Sequence, residues 1–194
     1  MSSPDLGGYL PQFGRGCSRS LALGGAKASG SFGFHELPAA DQSAIAVCVI
    51  AQPQHPDSQQ LIEYWKDHSA KGGLRLGRDL PAARVARLMS KLIVFEPVEG
   101  GRDFCIRLAG SGLLRRFGED VSGKMLSQLY GGKSFENYRE NLLMALTGGD
   151  FHAVDVRVTQ GQNLLFHIEY IFLPVLSFDG NQTWVVAGVF YFNS

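Results

Sequence analysis

Hydrophobic residues in the second half of the chain recur with two different periods. In His152–Thr159, Val154, Val156 and Val158 alternate with Asp155, Arg157 and Thr159. In Leu164–Leu173, Phe166, Ile168, Tyr170 and Phe172 alternate with His167, Glu169, Ile171 and Leu173. A period of two predicts strands with one face on a core. Thr183–Phe192 (TWVVAGVFYF) is apolar almost throughout, as a strand covered on both faces is. Upstream, Leu92–Glu96 predicts another strand, and Pro97–Asp103 a hairpin connection to Phe104–Ala109. There Phe104, Ile106 and Leu108 fall on one face and Cys105, Arg107 and Ala109 on the other.

The helical period appears in three places. Phe135, Tyr138, Leu142, Ala145 and Leu146 share a face of a helix that Ser134 caps and Gly148-Gly149 ends. Leu61, Ile62, Trp65 and His68 mark an earlier amphipathic helix starting near Gln59, with Asp57 or Ser58 as its cap. Val85, Leu88 and Met89 follow Pro81, which falls near the first position of a further helix. Lys124–Tyr130 reads as one or two turns. Leu113–Phe117 is a very short helix between Gly110-Ser111-Gly112 and Gly118.

Register sharpens the strand reading. Pairing Val156 with Ile168 puts all the valines on the face of Phe166, Ile168 and Tyr170. It leaves a three-residue loop, Gly161–Asn163, and sets Arg157 opposite His167 and Asp155 opposite Glu169 on the outer face. Those charges then read as a cross-strand cluster on a sheet surface.

Composition narrows the function classes. The formal net charge is zero, with 18 basic and 18 acidic residues, which excludes a general polyanion binder. Six basic residues lie between Lys71 and Lys91 (Lys71, Arg75, Arg78, Arg84, Arg87, Lys91) against one acid, Asp79; a solvated helix face is favoured over a docking surface for an acidic partner. Cys17, Cys48 and Cys105 are odd in number and far apart, so they make neither a metal pair nor a disulfide framework, and a reducing compartment fits. Residues 1 to about 43 are rich in Gly, Ser and Ala without a period, as a disordered tail would be, and Ile45–Ala51 is a short strand or an apolar arm.

Motifs for chemistry fail on spacing. Gly132-Lys133-Ser134 lacks the earlier glycine of a phosphate-binding loop, where Ser127 stands. His152 and His167 fall on opposite sheet faces, which excludes them as joint metal ligands. Ser111, Ser122 and Ser134 have no nucleophile elbow around them. What remains is an apolar inner surface, on which Tyr138 and Tyr170 bring hydroxyls that need partners when buried; Phe117, Leu126 and Tyr130 close its side.

The order of elements, two strands, three helices and three strands, resembles a PAS fold. The segments LIEYW, LRLGRDLP and LMSKLIVFEPVEGGRDFCIRLAGSGLLRRFGEDVSGKMLSQL are similar to a family of PAS-like bacterial proteins. The likeness runs from Gln59 to Phe192 and concentrates in Leu80–Leu129, above all Phe104–Gly110, Phe117-Gly118 and Ser122-Gly123; Ala82–Ala86 departs from the acid and proline that family members carry after Leu-Pro. The resemblance implies a sensor or dimerisation module. Lys133–Gly148 lacks the histidine of haem-binding relatives, and Cys105, in a strand, is the only cysteine after Met89, which excludes a flavin- or chromophore-linking one.

The expectation is an α+β protein: a PAS-like five-stranded antiparallel sheet with short helices on one face and an N-terminal amphipathic helix. Residues 1–56 form a Gly/Ser-rich irregular or disordered segment, 57–91 a helical flank and 92–194 the PAS-like domain. A stand-alone cytoplasmic sensory domain would bind a small, mostly apolar ligand against Phe117, Phe135, Tyr138, Leu142, Phe166 and Tyr170. It would signal through protein contacts with a second copy or a signalling protein. The alternative is a ligand-free homodimerisation or interaction module using Val185 and Tyr191 on the outer sheet face and Leu61 and Trp65 of the helix that would cover it; an enzyme comes third. No catalytic residue, metal ligand, nucleic-acid partner or membrane is expected, and the cofactor, if one exists, is unspecified.

Overall fold

The computed structural model describes residues 20–21 and 43–192. Most of the glycine-rich N-terminal segment, with Cys17, lies outside the described residues. Strands β1 (Ser20–Leu21), β2 (Ser43–Val49), β3 (Leu92–Val98), β4 (Asp103–Ala109), β5 (His152–Gln160), β6 (Asn163–Leu176) and β7 (Thr183–Tyr191) form one sheet in the order β1-β2-β5-β6-β7-β3-β4. Every pairing is antiparallel. The five expected strands are all present, with β7 central. The sheet carries two more, because Ile45, Val47 and Val49 of β2 pair with Val158, Val156 and Val154 and continue their face.

Helices cover both faces. On the inner face lie α2 (Ser111–Phe117), α3 (Leu126–Leu129) and α4 (Gly132–Gly148). Leu142 and Ala145 of α4 meet Ile168, Tyr170, Phe172 and Val185 in one core. On the outer face lie α1 (Pro56–Ser69) and a 3-10 segment, Ala83–Lys91. Their Leu61, Trp65, Val85 and Leu88 pack on Ile171, Leu173, Val186 and Phe190 in a second core. The basic run stays largely solvent-exposed, as expected, but several of its members are ion-paired within this outer layer. Lys91 and Arg87 reach Asp57 at 2.7 and 3.0 Å, Arg84 reaches Asp67 at 2.6 Å and Arg78 reaches Asp79 at 2.8 Å. Arg75 donates to the Phe178 carbonyl.

Several local expectations are corrected. The β5–β6 register is the expected one, Val156 opposite Ile168, but a bulge at Val158/Thr159 leaves a two-residue turn, Gly161-Gln162, in place of a three-residue loop. In β4 a bulge at Arg107 pairs Leu108 with Val94, so Leu108 leaves the face of Phe104 and Ile106 and is exposed. In β7 the face is the reverse of the expected one. Val189 lies opposite Tyr170 and Tyr191 opposite Ile168, so Val185, Val189 and Tyr191 point inward, and Trp184, Val186 and Phe190 outward. All of Trp184–Phe190 except the Gly188 position carries buried hydrophobic side chains, so no alternation marks the faces.

Helix starts also differ. The cap of α1 is His55, whose Nδ1 accepts from the Asp57 backbone N–H, with Pro56 as first residue. Ser134 lies inside the first turn of α4, whose cap is Gly131. The turn from β4 into α2 needs a residue without a side chain: a Cβ on Gly110 would stand 2.3 Å from the Met89 carbonyl oxygen. That close approach is how α2 seats against the 3-10 segment.

Candidate functional site

The inner face gathers four tyrosines. Tyr170 comes from β6 and Tyr191 from β7, their side chains directed inward by strand alternation. Tyr138 comes from the first half of α4. Tyr130 follows α3, which Asp103 holds by accepting from the Ser127 hydroxyl at 2.6 Å. The rings of Tyr130 and Tyr138 stack at 4.7 Å, and Tyr138 meets Tyr170 edge to face at 6.2 Å. The hydroxyls of Tyr130 and Tyr170 lie near enough to that of Tyr138 to influence its ionisation.

The ring row continues along the sheet. Tyr170 stacks on Phe172 at 6.4 Å, and Phe172 meets His152 at 6.0 Å. His152 Nε2 lies 2.8 Å from Asn141 Oδ1 of α4, which closes the far end. Burial pushes Tyr138 up to about 12 and holds Tyr130 well above the ordinary phenol range. The neighbouring hydroxyls act in the second place. Burial lowers His152. Tyr130, Tyr138 and His152 are therefore neutral near pH 7.

The expected site residues divide. Tyr138, Tyr170 and Leu142 meet on the inner face, and Phe135 packs half-buried beside them. Phe166 is on the same face but lies at its rim, 37% exposed. Phe117 ends α2, and its side chain lies outside the described residues. Of the residues expected on an outer interface, Leu61 and Trp65 are buried within the chain's own outer core, and Val185 and Tyr191 are on the inner face. Tyr191 thus belongs with the tyrosines. Only the phase of an all-apolar strand concealed it.

A second polar cluster lies on the outer face. Glu169, expected among surface charges, is completely buried. Its carboxylate accepts from the backbone N–H groups of Gln54 (2.7 Å) and His55 (3.2 Å), just before α1. The helix dipole favours an anion there. Because His55 Nδ1 accepts from Asp57, its Nε2 carries the proton and donates to the Tyr191 carbonyl at 3.2 Å. The His55 ring stacks on Phe190, and His167 stacks on Phe192 while contacting Asp155 at 2.5 Å. The two clusters are adjacent through the sheet: Glu169 and Tyr170 are neighbours on β6, and Tyr191 offers its ring inward and its carbonyl outward.

Among the described residues, no group of three or more His, Cys, Asp or Glu side chains could hold a metal ion, and no helix is long and apolar enough to cross a membrane.

An antiparallel sheet with short helices and one longer helix over its inner face, and an amphipathic helix on its back, defines an α+β domain. A family model described as a PAS domain matches residues 53–190, well over half of the chain, and the chain belongs to the PAS domain family. That family is typically non-enzymatic. Comparison with curated proteins and with solved structures returned no match.

Proposed function

We propose that this PAS domain is a sensory module that binds a small, mostly apolar ligand between α4 and the sheet and passes its occupancy on through protein contacts. One observation carries the reading: three tyrosine rings, Tyr130, Tyr138 and Tyr170, come together beneath the first half of α4 on an otherwise apolar face. Small-ligand sites are mostly apolar with a few convergent polar groups. The helix itself is unevenly packed. Leu142 and Ala145 are sealed at 0% exposure, whereas Phe135 and Tyr138 in the first half are only half-buried.

The second reading is a ligand-free interaction module; α1 of the same chain covers the outer face with Leu61 and Trp65, so such a module would meet a partner through another surface. Native mass spectrometry of freshly purified chain, with a thermal-shift screen of metabolites, tests the sensory reading. A retained small mass, or a stabilising hit that Tyr138→Phe weakens, is expected; neither appearing would defeat it.

A further inference from the structure

The inner face of the sheet is covered as far as β5 and open beyond it. Ile45, Val47 and Val49 of β2 stand opposite Val158, Val156 and Val154 of β5 and continue their face. The three β5 valines are buried, but Val47 and Val49 are 45% and 71% exposed. The far edge of β2 is open along the same stretch. β1 pairs with Ala46 and Ile45, and beside Val47–Val49 no further strand lies among the described residues. An apolar strand with an open edge is a template for one more strand.

The direction of the chain says which strand that is. β1 is antiparallel to β2, with Ser20 opposite Ala46 and Leu21 opposite Ile45. Continued in that register, the residues before Ser20 run alongside β2 toward Val49. Arg19 then falls opposite Val47, Ser18 opposite Cys48 and Cys17 opposite Val49. Opposed residues share a face, so Arg19 and Cys17 would flank the two open valines, with the aliphatic stem of Arg19 along Val47. Gly16–Arg19 contains no proline, so every backbone N–H there can enter the ladder. This segment is tethered at the edge in question, whereas a second copy or a separate peptide must give up its free motion to reach it.

We propose that the open edge and valines of β2 are a docking surface for the chain's own N-terminal segment, with Cys17–Arg19 paired along Val47–Val49. This docking is independent of the ligand reading above. Disulfide trapping in the full chain tests it. In a Cys48→Ser background that keeps Cys17 and the buried Cys105, a thiol is introduced by Val49→Cys or, for reference, by Leu108→Cys on β4 at the opposite edge of the sheet. Both positions are exposed, at 71% and 52%, so neither change opens a core. Under oxidised glutathione, a bond within one chain from Cys17 to position 49 should form roughly tenfold faster than one to position 108, as peptide mass mapping reads it. In the parent, Cys48 opposes Ser18 on the other face, and Cys17 should leave it unlinked. Equal rates at positions 49 and 108, or no bond at either, overturn the docking. A bond at position 49 between two chains, growing with concentration, overturns it in favour of a second copy. A Cys17–Cys48 bond in the parent overturns the register.

Discussion

Glu169 shows how much one residue's meaning depends on what lies over it. Its position on the outer face opposite Asp155 follows from strand alternation and was legible. Its burial was not, because the cover is the Pro53–His55 turn, more than a hundred positions away in sequence, as the 115-residue separation of the Gln54 contact records. Two backbone N–H groups depend on this carboxylate, so truncation leaves both without an acceptor in a place water reaches poorly. Glu169→Ala should lower the unfolding free energy by roughly 2–4 kcal/mol, since bonds to a charged acceptor count for more than neutral ones and orphaned buried donors add a cost. The measurement is the urea midpoint, which should fall with an unchanged slope. A midpoint within experimental error of the parent would show that the carboxylate does not hold the turn. Tyr191 makes the complementary point. Its residue type marks it as a candidate for the tyrosine cluster, but β7 is apolar on both faces, and a period-two signal has nothing to register against.

Among the elements, the helices of the inner face were readable and the outer layer was readable only in outline. Leu142, Ala145 and Tyr138 recur at helical spacing against an alternating sheet, so the partner of each is implied. The six basic residues of the outer layer carry no such implication, because a cation looks alike in sequence whether it is solvated or clamped. Here three of them, Arg84, Arg87 and Lys91, tie the 3-10 segment to α1, and Asp57 in the first turn of α1 is the centre of the clamp. Burial alone would raise its carboxyl; the hydrogen bond from Lys91 and the charges of Lys91 and Arg87 outweigh that and hold it below the ordinary value. A carboxyl depressed in the folded state adds stability that is present above the unfolded value and is lost as pH falls through the folded one. Asp57→Asn should therefore destabilise by up to about 1 kcal/mol near neutrality, solvent screening of the exposed Arg87 and Lys91 keeping the effect modest. The gap between parent and variant should close in acid, once Asp57 of the parent is protonated. Melting temperatures from pH 7 down to about 2.5 test this, and a gap that stays constant would remove Asp57's charge as its cause.

For the whole molecule, the sheet has two cores and neither can be left open. Residues 92–194 look self-sufficient in sequence because they hold the five alternating or apolar strands. The structure gives β6 and β7 a second apolar face, with Ile171, Leu173, Val175, Val186 and Phe190 all at 2% exposure or less. Their cover is α1 and the 3-10 segment, and Trp65 is its anchor, with its indole N–H donating to the Pro174 carbonyl at 2.7 Å. A chain begun at residue 92 would present that face as one contiguous apolar patch, larger than monomers ordinarily tolerate. It should associate or precipitate, bind the dye ANS and scatter light, whereas the full chain should do neither. Trp65→Ala, a smaller wound in the same core, should cost roughly 3–5 kcal/mol, the range for deleting a large buried aromatic. A truncated chain that stayed monomeric and cooperatively folded would mean that the outer helix is an appendage. The alternative, expected from this packing, is that it is the second wall of the domain, and that movement of β6 or β7 at the tyrosine cluster is felt by α1 through the residues the two faces share.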